Sequence, residues 1–405
     1  MKEIIEFSAA QSLVLDFPAL SSTEKVRLEE MLGRVLAEDI LAKSDEPGFD
    51  NAAMDGVVIR AADTAGATSE NPVRLMQAGK SYAGDAPAQP IGKGEFMRIA
   101  TGATVPEGAD TVVPKELLKW EGDSLYFTSP VEAGRNIRCR GTFHSAGNTL
   151  LSAGQTMTPA AIALLASAGY EAAEVYRRPS ICIITTGNEL VSPGSALSPG
   201  KIYNSNSWAL SALALQAGAR ISGLKHAVDR KDELTRTLAE ANESSELIVL
   251  AGGISVGDKD YVLEVLKDAG AELRFRRINV KPGKPCVFAE LPGGRPVFAL
   301  PGSPVAAYYL FRTLISPFIK KMSGLSSYPD EVLVGRMASI PVTSSSRTEL
   351  LPVQATLVAG GYVLQPCADF SSANLHIPVS FNALAIVAPE DQPLTLDSRV
   401  NFIFV

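Results

Sequence analysis

Three short, continuous apolar runs, each followed by a polar loop and a helical pattern, constrain the fold of this chain more than any other feature. The runs are ICIIT at 181–185, LIVLA at 247–251 and PVFAL at 296–300. Such runs are typical of strands buried on both faces of a parallel sheet. The helical patterns NSNSWALSALALQAGA, DYVLEVLKDAG and VAAYYLFRTLISPFI alternate with them. The region 179–325 is therefore predicted to be a doubly wound parallel α/β domain.

The loops after these three strands are rich in glycine and polar residues. They read TTGNEL at 185–190, AGGISVGDKD at 251–260 and LPGSP at 300–304. In open parallel sheets ligands bind outside the carboxyl ends of the strands, and helix N-termini present free N–H groups to anions. A nearby KPGKP adds Lys281 and Lys284. Ordinary turn chemistry explains any one loop alone, but the three together favour a ligand that carries phosphate.

Carboxylates near these loops indicate a divalent cation. No GxGxxG follows a strand, so a dinucleotide dehydrogenase is disfavoured. The run 252–259 resembles a P-loop with Asp258 in place of the lysine, which suggests Mg²⁺ between carboxylate and phosphate. Asp260, Glu189 and Asp229 belong to the same loops or follow a predicted strand. The alternative is a helix-capping role for Asp258 or Asp260 and a solvated turn for Asp229.

The remaining sequence divides into three further predicted domains. The region 46–139 is rich in Gly and Pro with short apolar runs, and we expect a β-rich domain. In the region 326–405 the helical patterns stop, and VAGG between two apolar runs predicts a hairpin in a C-terminal β domain. The residues 1–45, together with 140–178 and its helical pattern TPAAIALLASAGY, are predicted to form a linking domain.

Composition excludes several classes of function. With 37 basic and 44 acidic residues the formal net charge is −7, so the chain is a poor general binder of nucleic acid. The four cysteines and three histidines are scattered, which argues against a zinc site or a disulfide framework. No secretory signal and no apolar run of about 20 residues is present, so we expect a cytoplasmic protein without a membrane span.

Seven motifs occur in the order in which molybdopterin molybdenumtransferases have them. They are PGFDNAAMDG, RIATGATVPEGADTVV, NIRCRG with SAG, TTGNEL, GGISVGDKDY, KPGKP and LPGSPVAA. Between about Pro47 and Ala307 the chain thus resembles this family, which shares its fold with the E domain of gephyrin. The resemblance implies an elongated linking domain, a barrel-like C-terminal domain and a homodimer whose site is completed by the partner's β-rich domain.

The resemblance also implies an activity. Members of the family take adenylyl-molybdopterin and molybdate as substrates, release AMP with the help of Mg²⁺, and leave molybdenum on the dithiolene sulfurs. A molybdopterin adenylyltransferase and the enzymes that receive the cofactor are the implied partners.

Matching the motifs residue by residue carries family roles onto this chain. The residues that match the family's catalytic set are Asp55, Thr101, Glu189, Asp229, Asp260, Lys281 and Lys284. Three of them are expected to hold the metal, namely Glu189, Asp229 and Asp260. The expected substrate-binding residues are Thr186, Gly187, Gly252, Gly253, Ser255, Gly257, Asp258, Pro301, Gly302 and Ser303.

Four positions depart from the family pattern. Phe143 stands where the family has an active-site Asp, Asn188 where Asp is common, and Ser303 where Asn is common. Leu375 falls close to the position of a family Ser. Because the acidic set is thinned, a molybdopterin-binding carrier or scaffold is the alternative to an enzyme. The loops alone also leave open a hydrolase or transferase that acts on another phosphorylated nucleotide.

Overall fold

The computed structural model describes residues 4–18, 22–121, 124–254, 261–325, 331–340, 345–368 and 370–405. The chain forms two compact units. Unit 1 consists of Met1–Glu38, Ala153–Pro159 and Ala172–Val405. Unit 2 consists of Asp39–Ser152 and Ala160–Glu171. The finer division into four domains stays a prediction.

The strands of the described residues are, in chain order, β1 Ile5–Glu6, β2 Thr23–Arg27, β3 Ile40–Leu41, β4 Asn51–Ala52, β5 Gly56–Ile59, β6 Val73–Ser81, β7 Glu95–Ile99, β8 Thr111–Pro114, β9 Lys119–Glu121, β10 Ser124–Phe127, β11 Ile137–Arg138, β12 Thr149–Leu151, β13 Ala172–Tyr176, β14 Ser180–Thr186, β15 Leu190–Val191, β16 Ile202–Tyr203, β17 Arg220–Ala227, β18 Leu247–Ala251, β19 Glu272–Lys281, β20 Pro285–Leu291, β21 Arg295–Leu300, β22 Leu333–Met337, β23 Thr348–Val358, β24 Gly361–Pro366, β25 Ala383–Val387 and β26 Arg399–Phe404. The α-helices are α1 Phe7–Asp16, α2 Pro159–Ser167, α3 Ser205–Gln216, α4 Lys231–Ser244, α5 Tyr261–Asp268, α6 Pro304–Leu310, α7 Ser316–Met322 and α8 His376–Ser380. A π-helical segment, Phe311–Ile315, joins α6 to α7.

The central sheet of unit 1 is doubly wound. Strands β17, β14, β18 and β21 lie side by side and run parallel. Successive residues of β14 point to opposite faces, as a pleated strand requires. Ile181 and Ile183 join the core under α3, α6 and α7, whereas Cys182 and Ile184 join the core under α4 and α5. The predicted α/β fold class is therefore confirmed, and antiparallel β20 and β19, which the patterns did not identify, extend the sheet.

Helix α1 also contributes to this core. Its buried residues Phe7, Ala10 and Val14 recur at the spacing of one helical face and pack in the cluster that contains Leu210 of α3. This helix is absent from the predicted elements, although the spacing of its apolar residues is the signal that indicates it.

A closed five-stranded barrel forms the C-terminal part of unit 1. The strand order is β23–β24–β22–β26–β25, and pairing of β25 with β23 closes it. The predicted hairpin is the connection between β23 and β24, with Val358 paired to Gly361. Buried side chains such as Val353, Leu364 and Phe402 fill the interior. The barrel-like C-terminal domain is thus confirmed.

Unit 2 is built around a six-stranded sheet of order β8–β5–β7–β6–β10–β9. Val57 and Ile59 of β5 pack on one face with Phe96, and Val58 packs on the other face with Met97. This alternation is the period of a strand with apolar cover on both sides. The prediction that this region is rich in β-strands is confirmed.

Within the described ranges, no helix is both long and apolar enough to cross a bilayer. All four cysteines are free thiols. Burial raises the pKa of the Cys182 thiol to about 11, so this side chain is uncharged at neutral pH and packs as an apolar group.

Candidate functional site

A cleft of about 390 Å³ opens at the carboxyl ends of β14, β18 and β21 in unit 1. The three loops predicted from the sequence meet there with the start of α3. Eight of the expected site residues line it, namely Thr186, Gly187, Glu189, Asp229, Gly252, Gly253, Pro301 and Gly302. Parallel strands bring their carboxyl ends to one edge, which is why loops far apart in sequence share a cleft.

Asp229 is held in the cleft by the first loop. Thr186 Oγ1 donates to Asp229 Oδ1 at 2.8 Å, and the Asn188 backbone N–H donates to Oδ2 at 3.2 Å. The Asp229 N–H in turn donates to Asn188 Oδ1 at 3.1 Å. Each carboxylate oxygen therefore has a donor, and the side chain has one orientation. An aspartate at position 188 would offer the same acceptor oxygen but would place a second negative charge beside Asp229. Asn188 offers the acceptor without that charge.

The floor of the cleft requires glycine. Gly252 has φ +102°, and a Cβ on it would lie 2.4 Å from the carbonyl oxygen of Thr186. Gly253 has φ +66°, and its Cβ would lie 2.8 Å from Val262 and 2.9 Å from Thr186. The Gly252 N–H donates to the Leu300 carbonyl at 3.0 Å. Because neither glycine has a side chain, a ligand can approach the backbone here closely, and the Gly253 amide is the one it can use.

The carboxylate of Glu189 lies against the backbone of Gly187. A Cβ on Gly187 would be only 2.6 Å from Glu189 Oε1. Glu189 and Asp229 thus supply carboxylate oxygens to one cleft.

Two asparagines outside the predicted site residues organise the start of α3. Asn204 is the N-cap residue, and its side chain accepts from the Ser207 N–H and donates to Thr185 Oγ1 at 2.7 Å. Asn206 Nδ2 donates to the Gly302 carbonyl at 2.9 Å and connects α3 to the third loop. The polar run IYNSNS before the helical pattern was the available signal.

Ser303 takes the N-cap position of α6, but its side chain does not cap the helix. Its hydroxyl donates to the Ser372 carbonyl at 2.7 Å, and the Val305 N–H donates to the same oxygen at 3.0 Å. Serine at an N-cap position commonly caps the helix with its side chain, but this hydroxyl is used for the contact with Ser372. The segment that leads to Leu375, the N-cap residue of α8, is instead fastened to the third loop.

The two lysines of KPGKP have different environments. Lys281 Nζ lies 3.1 Å from Oε1 of Glu349, a carboxylate only 5% exposed. Parallel pairing of β19 with β23 sets Lys281 opposite Glu349. Lys284 is exposed, and Pro285 directly after it lines the cleft. Lys284 is thus the cation of this loop that remains available to an anion.

The second loop falls only partly within the described residues. Ser255, Gly257, Asp258 and Asp260 lie outside them, so their roles stay predictions. Among the residues that the structure describes, no group of three or more His, Cys, Asp or Glu side chains is placed to hold a metal ion. Of the three residues expected to hold the metal, the structure describes Glu189 and Asp229.

In unit 2, Asp55 and Thr101 form a pair of their own. Asp55 Oδ1 accepts from both the Thr101 N–H and the Thr101 hydroxyl, each at 2.8 Å. These two hydrogen bonds, the backbone one first, hold the pKa of Asp55 below its ordinary value, and Lys115 adds to the effect. The sequence placed both residues in separate motifs, and the fold brings them together.

Replacing Thr101 by valine is expected to raise the pKa of Asp55, because the hydroxyl no longer donates to the carboxylate. A depressed pKa contributes stability above the unfolded pKa, and this stability is lost as the pH falls through the folded pKa. The stabilisation at neutral pH should thus shrink in the variant. Thermal unfolding between acid and neutral pH measures it, with Thr101→Ser, which keeps the hydroxyl, as control. Identical pH profiles for wild type and Thr101→Val would contradict the assignment.

Phe143, also in unit 2, is 64% exposed, and its side chain is uncharged. The loop is held by Asp45, whose Oδ1 accepts from the Ala146 N–H at 2.9 Å and whose Oδ2 pairs with Arg140 Nε at 2.6 Å. These contacts, the Ala146 hydrogen bond first, hold the pKa of Asp45 below its usual range. The Asp45 carboxylate is therefore already engaged, through Ala146 and Arg140, in holding the loop that carries Phe143.

Comparisons with known proteins agree on both halves of the chain. Residues 5–169 match a family described as the MoeA N-terminal region (domain I and II), and residues 182–321 match one described as a probable molybdopterin binding domain. A molybdopterin molybdenumtransferase of Nostoc sp. is 34% identical over 93% of this chain and 87% of its own length. One of Staphylococcus aureus is 32% identical over 90% and 86%. The crystal structure of the molybdopterin biosynthesis moeA protein from Pyrococcus horikoshii OT3 superposes with a TM-score of 0.84 at 27% identity, covering 99% of this chain and 100% of that one.

Proposed function

Because this chain belongs to the molybdopterin molybdenumtransferase family, we propose that it inserts molybdenum into adenylylated molybdopterin, using molybdate and releasing AMP. Family membership itself assigns the chain a transferase role in molybdenum-cofactor biosynthesis. The identity of the reacting substrates and the release of AMP are the parts that we propose.

The observation that carries the proposal is the cleft itself. Its floor is glycine backbone at Gly252 and Gly253, and its wall holds Asp229 in one orientation. Exposed backbone amides at strand ends suit phosphate oxygens. A fixed carboxylate beside them repels phosphate unless a cation lies between the two. This combination suits a diphosphate bound with a cation better than it suits an apolar ligand.

The residues present fit Mg²⁺. Glu189 and Asp229 offer carboxylate oxygens in one cleft, and Mg²⁺ in phosphate sites commonly uses one or two carboxylates and takes its other ligands from substrate and water. Glu189 and Asp229, together with Asp260 as a sequence prediction, would hold the ion. When bound, it would neutralise the diphosphate and stabilise the charge that develops on the leaving AMP.

The chain's own residues have the following proposed tasks. The amides at Gly253 and Gly302 hold phosphate oxygens, and Lys284 attracts the anion at the rim. Lys281 is positioned by Glu349, which keeps the loop beside the cleft. Asn206 orients the third loop through the Gly302 carbonyl. Together these residues bind and orient the diphosphate before its phosphoanhydride bond is cleaved.

Three expectations from the resemblance remain part of the proposal. The protein acts as a homodimer, with the Asp55–Thr101 pair of one copy serving the site of the other. A molybdopterin adenylyltransferase delivers the substrate, and cofactor-dependent enzymes receive the product. The protein resides in the cytoplasm.

AMP release by the purified protein tests the proposal directly. The protein is supplied with adenylyl-molybdopterin, molybdate and Mg²⁺, and AMP is measured with each component omitted in turn. Release should require both molybdate and Mg²⁺ and should fall in Glu189→Gln and Asp260→Ala. Release that ignores molybdate would point instead to a simple hydrolase.

A carrier is the second candidate, because Phe143 is an exposed, uncharged side chain where the family has a carboxylate. In that case the wild type binds molybdopterin and releases no AMP. AMP release by the wild type separates the two candidates, and Phe143→Asp tests whether this position accounts for a loss of activity. An active wild type is an enzyme whatever the variant does, whereas an inert wild type that gains AMP release in the variant is a carrier that has lost its chemistry at this position.

A further inference from the structure

A second pocket in unit 1 is lined mainly by charged side chains and shares no lining residue with the cleft. Its volume is about 530 Å³, and four arginines line it, Arg34, Arg177, Arg178 and Arg220, with three glutamates and a leucine. The term arginine groove denotes this pocket below. Nothing in the proposed reaction uses it.

Two of the three glutamates are already engaged. Glu24 accepts from Arg34 Nη2, and Glu29 pairs at 3.5 Å with Arg27, which is outside the lining. Glu30 is the third. No ion pair or side-chain hydrogen bond of Arg177, Arg178 or Arg220 occurs within the described part of the chain. Three guanidinium groups therefore face one unengaged carboxylate, and the groove has a positive balance.

Arg34 adds to the groove a buried guanidinium whose hydrogen bonds are incomplete. The residue is only 8% exposed, and Nη2 donates to Glu24 and to the Tyr176 carbonyl at 3.0 Å. Its Nε is buried without a hydrogen-bond partner among the described residues. Buried polar groups are nearly always satisfied, so an unmade bond at a guanidinium in a pocket wall calls for an explanation.

The fold brings these arginines together from distant parts of the sequence. The Arg177 N–H donates to the Ser22 carbonyl, next to β2, at 2.8 Å. The Arg220 N–H donates to the Pro179 carbonyl, one residue after Arg178, also at 2.8 Å. The segment that joins β13 to β14 carries Arg177 and Arg178. It is thus hydrogen-bonded on one side to the residue before β2, the strand that leads on to Arg34, and on the other side to the first residue of β17. The groove is an outcome of strand pairing and not of a basic run in the sequence.

We propose that the arginine groove is a binding site for a small phosphate-bearing anion. Guanidinium groups bind phosphate through paired N–H donors, and three of them on adjacent backbone segments can bind several oxygens at once. The volume leaves room for a body beyond one phosphate group. The site is separate from the cleft and does not depend on the proposed function.

Titration calorimetry with pyrophosphate on the full chain tests the site, at constant ionic strength. The double variant Arg178→Gln/Arg220→Gln should bind pyrophosphate at least about tenfold more weakly than wild type, the scale of one charge-assisted hydrogen bond. Both side chains are exposed, so the variant should fold as the wild type does. Arg135→Gln removes one exposed arginine of unit 2 and should leave the affinity unchanged.

The cleft is the competing site for the same probe, and Lys284→Gln identifies it. Pyrophosphate binding that persists in the double variant and is lost in Lys284→Gln would assign all binding to the cleft and overturn the proposal. Absence of saturable binding to the wild type would overturn it as well. Two classes of site, one lost in each variant, would support both assignments independently.

Discussion

Gly252→Ala is expected to abolish binding of molybdopterin and to lower the free energy of unfolding by about 2–3 kcal/mol, the scale of a strained backbone position. The new Cβ would lie 2.4 Å from the Thr186 carbonyl oxygen, a distance that real Cβ atoms essentially never show. Either the second loop moves away from the first, or the carbonyl moves and disturbs Thr186, which holds Asp229. In both cases the floor of the cleft changes shape. Urea unfolding and equilibrium binding of molybdopterin measure the two effects.

Gly194→Ala is the matched control for this change. Gly194 has φ +90°, similar to Gly252, but a Cβ there would meet no heavy atom within 4 Å. The free energy of unfolding of the control should therefore fall by about 1–2 kcal/mol because of the backbone conformation alone, and its affinity for the pterin should be unchanged. Equal loss of binding in both variants would mean that backbone strain, and not the shape of the cleft floor, explains the effect.

Asp229→Asn is expected to slow AMP release by about a hundredfold, the scale of one electrostatic contact in an active site. The asparagine Oδ1 can still accept from Thr186 Oγ1, but the negative charge is gone and the Asn188 N–H loses its acceptor. The lost hydrogen bond should cost about 1 kcal/mol of stability. Because the proposed cation loses a carboxylate, the Mg²⁺ concentration for half-maximal rate should rise.

Thr186→Val separates charge from positioning in this experiment. The valine removes a hydrogen bond from Asp229 and leaves its charge in the cleft. AMP release should then fall far less than in Asp229→Asn, and the Mg²⁺ requirement should change little. If Asp229→Asn retained the wild-type rate, the carboxylate would have no part in the reaction, and the remaining candidates would be Glu189 and Asp260.

Much of the α/β region could be predicted because its signals are local. A continuous apolar run predicts a doubly buried strand, and β14 and β18 lie where ICIIT and LIVLA stand. The gathering of eight predicted residues in one cleft follows from the rule that parallel strands share a carboxyl edge. The hairpin between β23 and β24 follows from two glycines in succession.

Other features depended on pairings that no local pattern encodes. The ion pair between Lys281 and Glu349 exists because β19 lies in register with β23, 68 residues farther along the chain. Closure of the barrel requires β25 to pair with β23 as well as with β26. Similarly, Ser303 bonds to Ser372 because a distant segment crosses the start of α6, where a local reading expects a helix cap.

The sequence by itself thus determined which segments become the buried parallel strands, where their loops bear glycine and carboxylate, and the family to which the motifs point. These properties are set by side-chain periodicity and by the φ angles that only glycine adopts freely. The tertiary structure alone decided that Asp229 has one orientation, that Lys284 and not Lys281 is the available cation, and that arginines from three separate parts of the sequence share a groove. Those outcomes depend on strand register and on contacts between residues far apart in the chain, which become defined only when the chain folds.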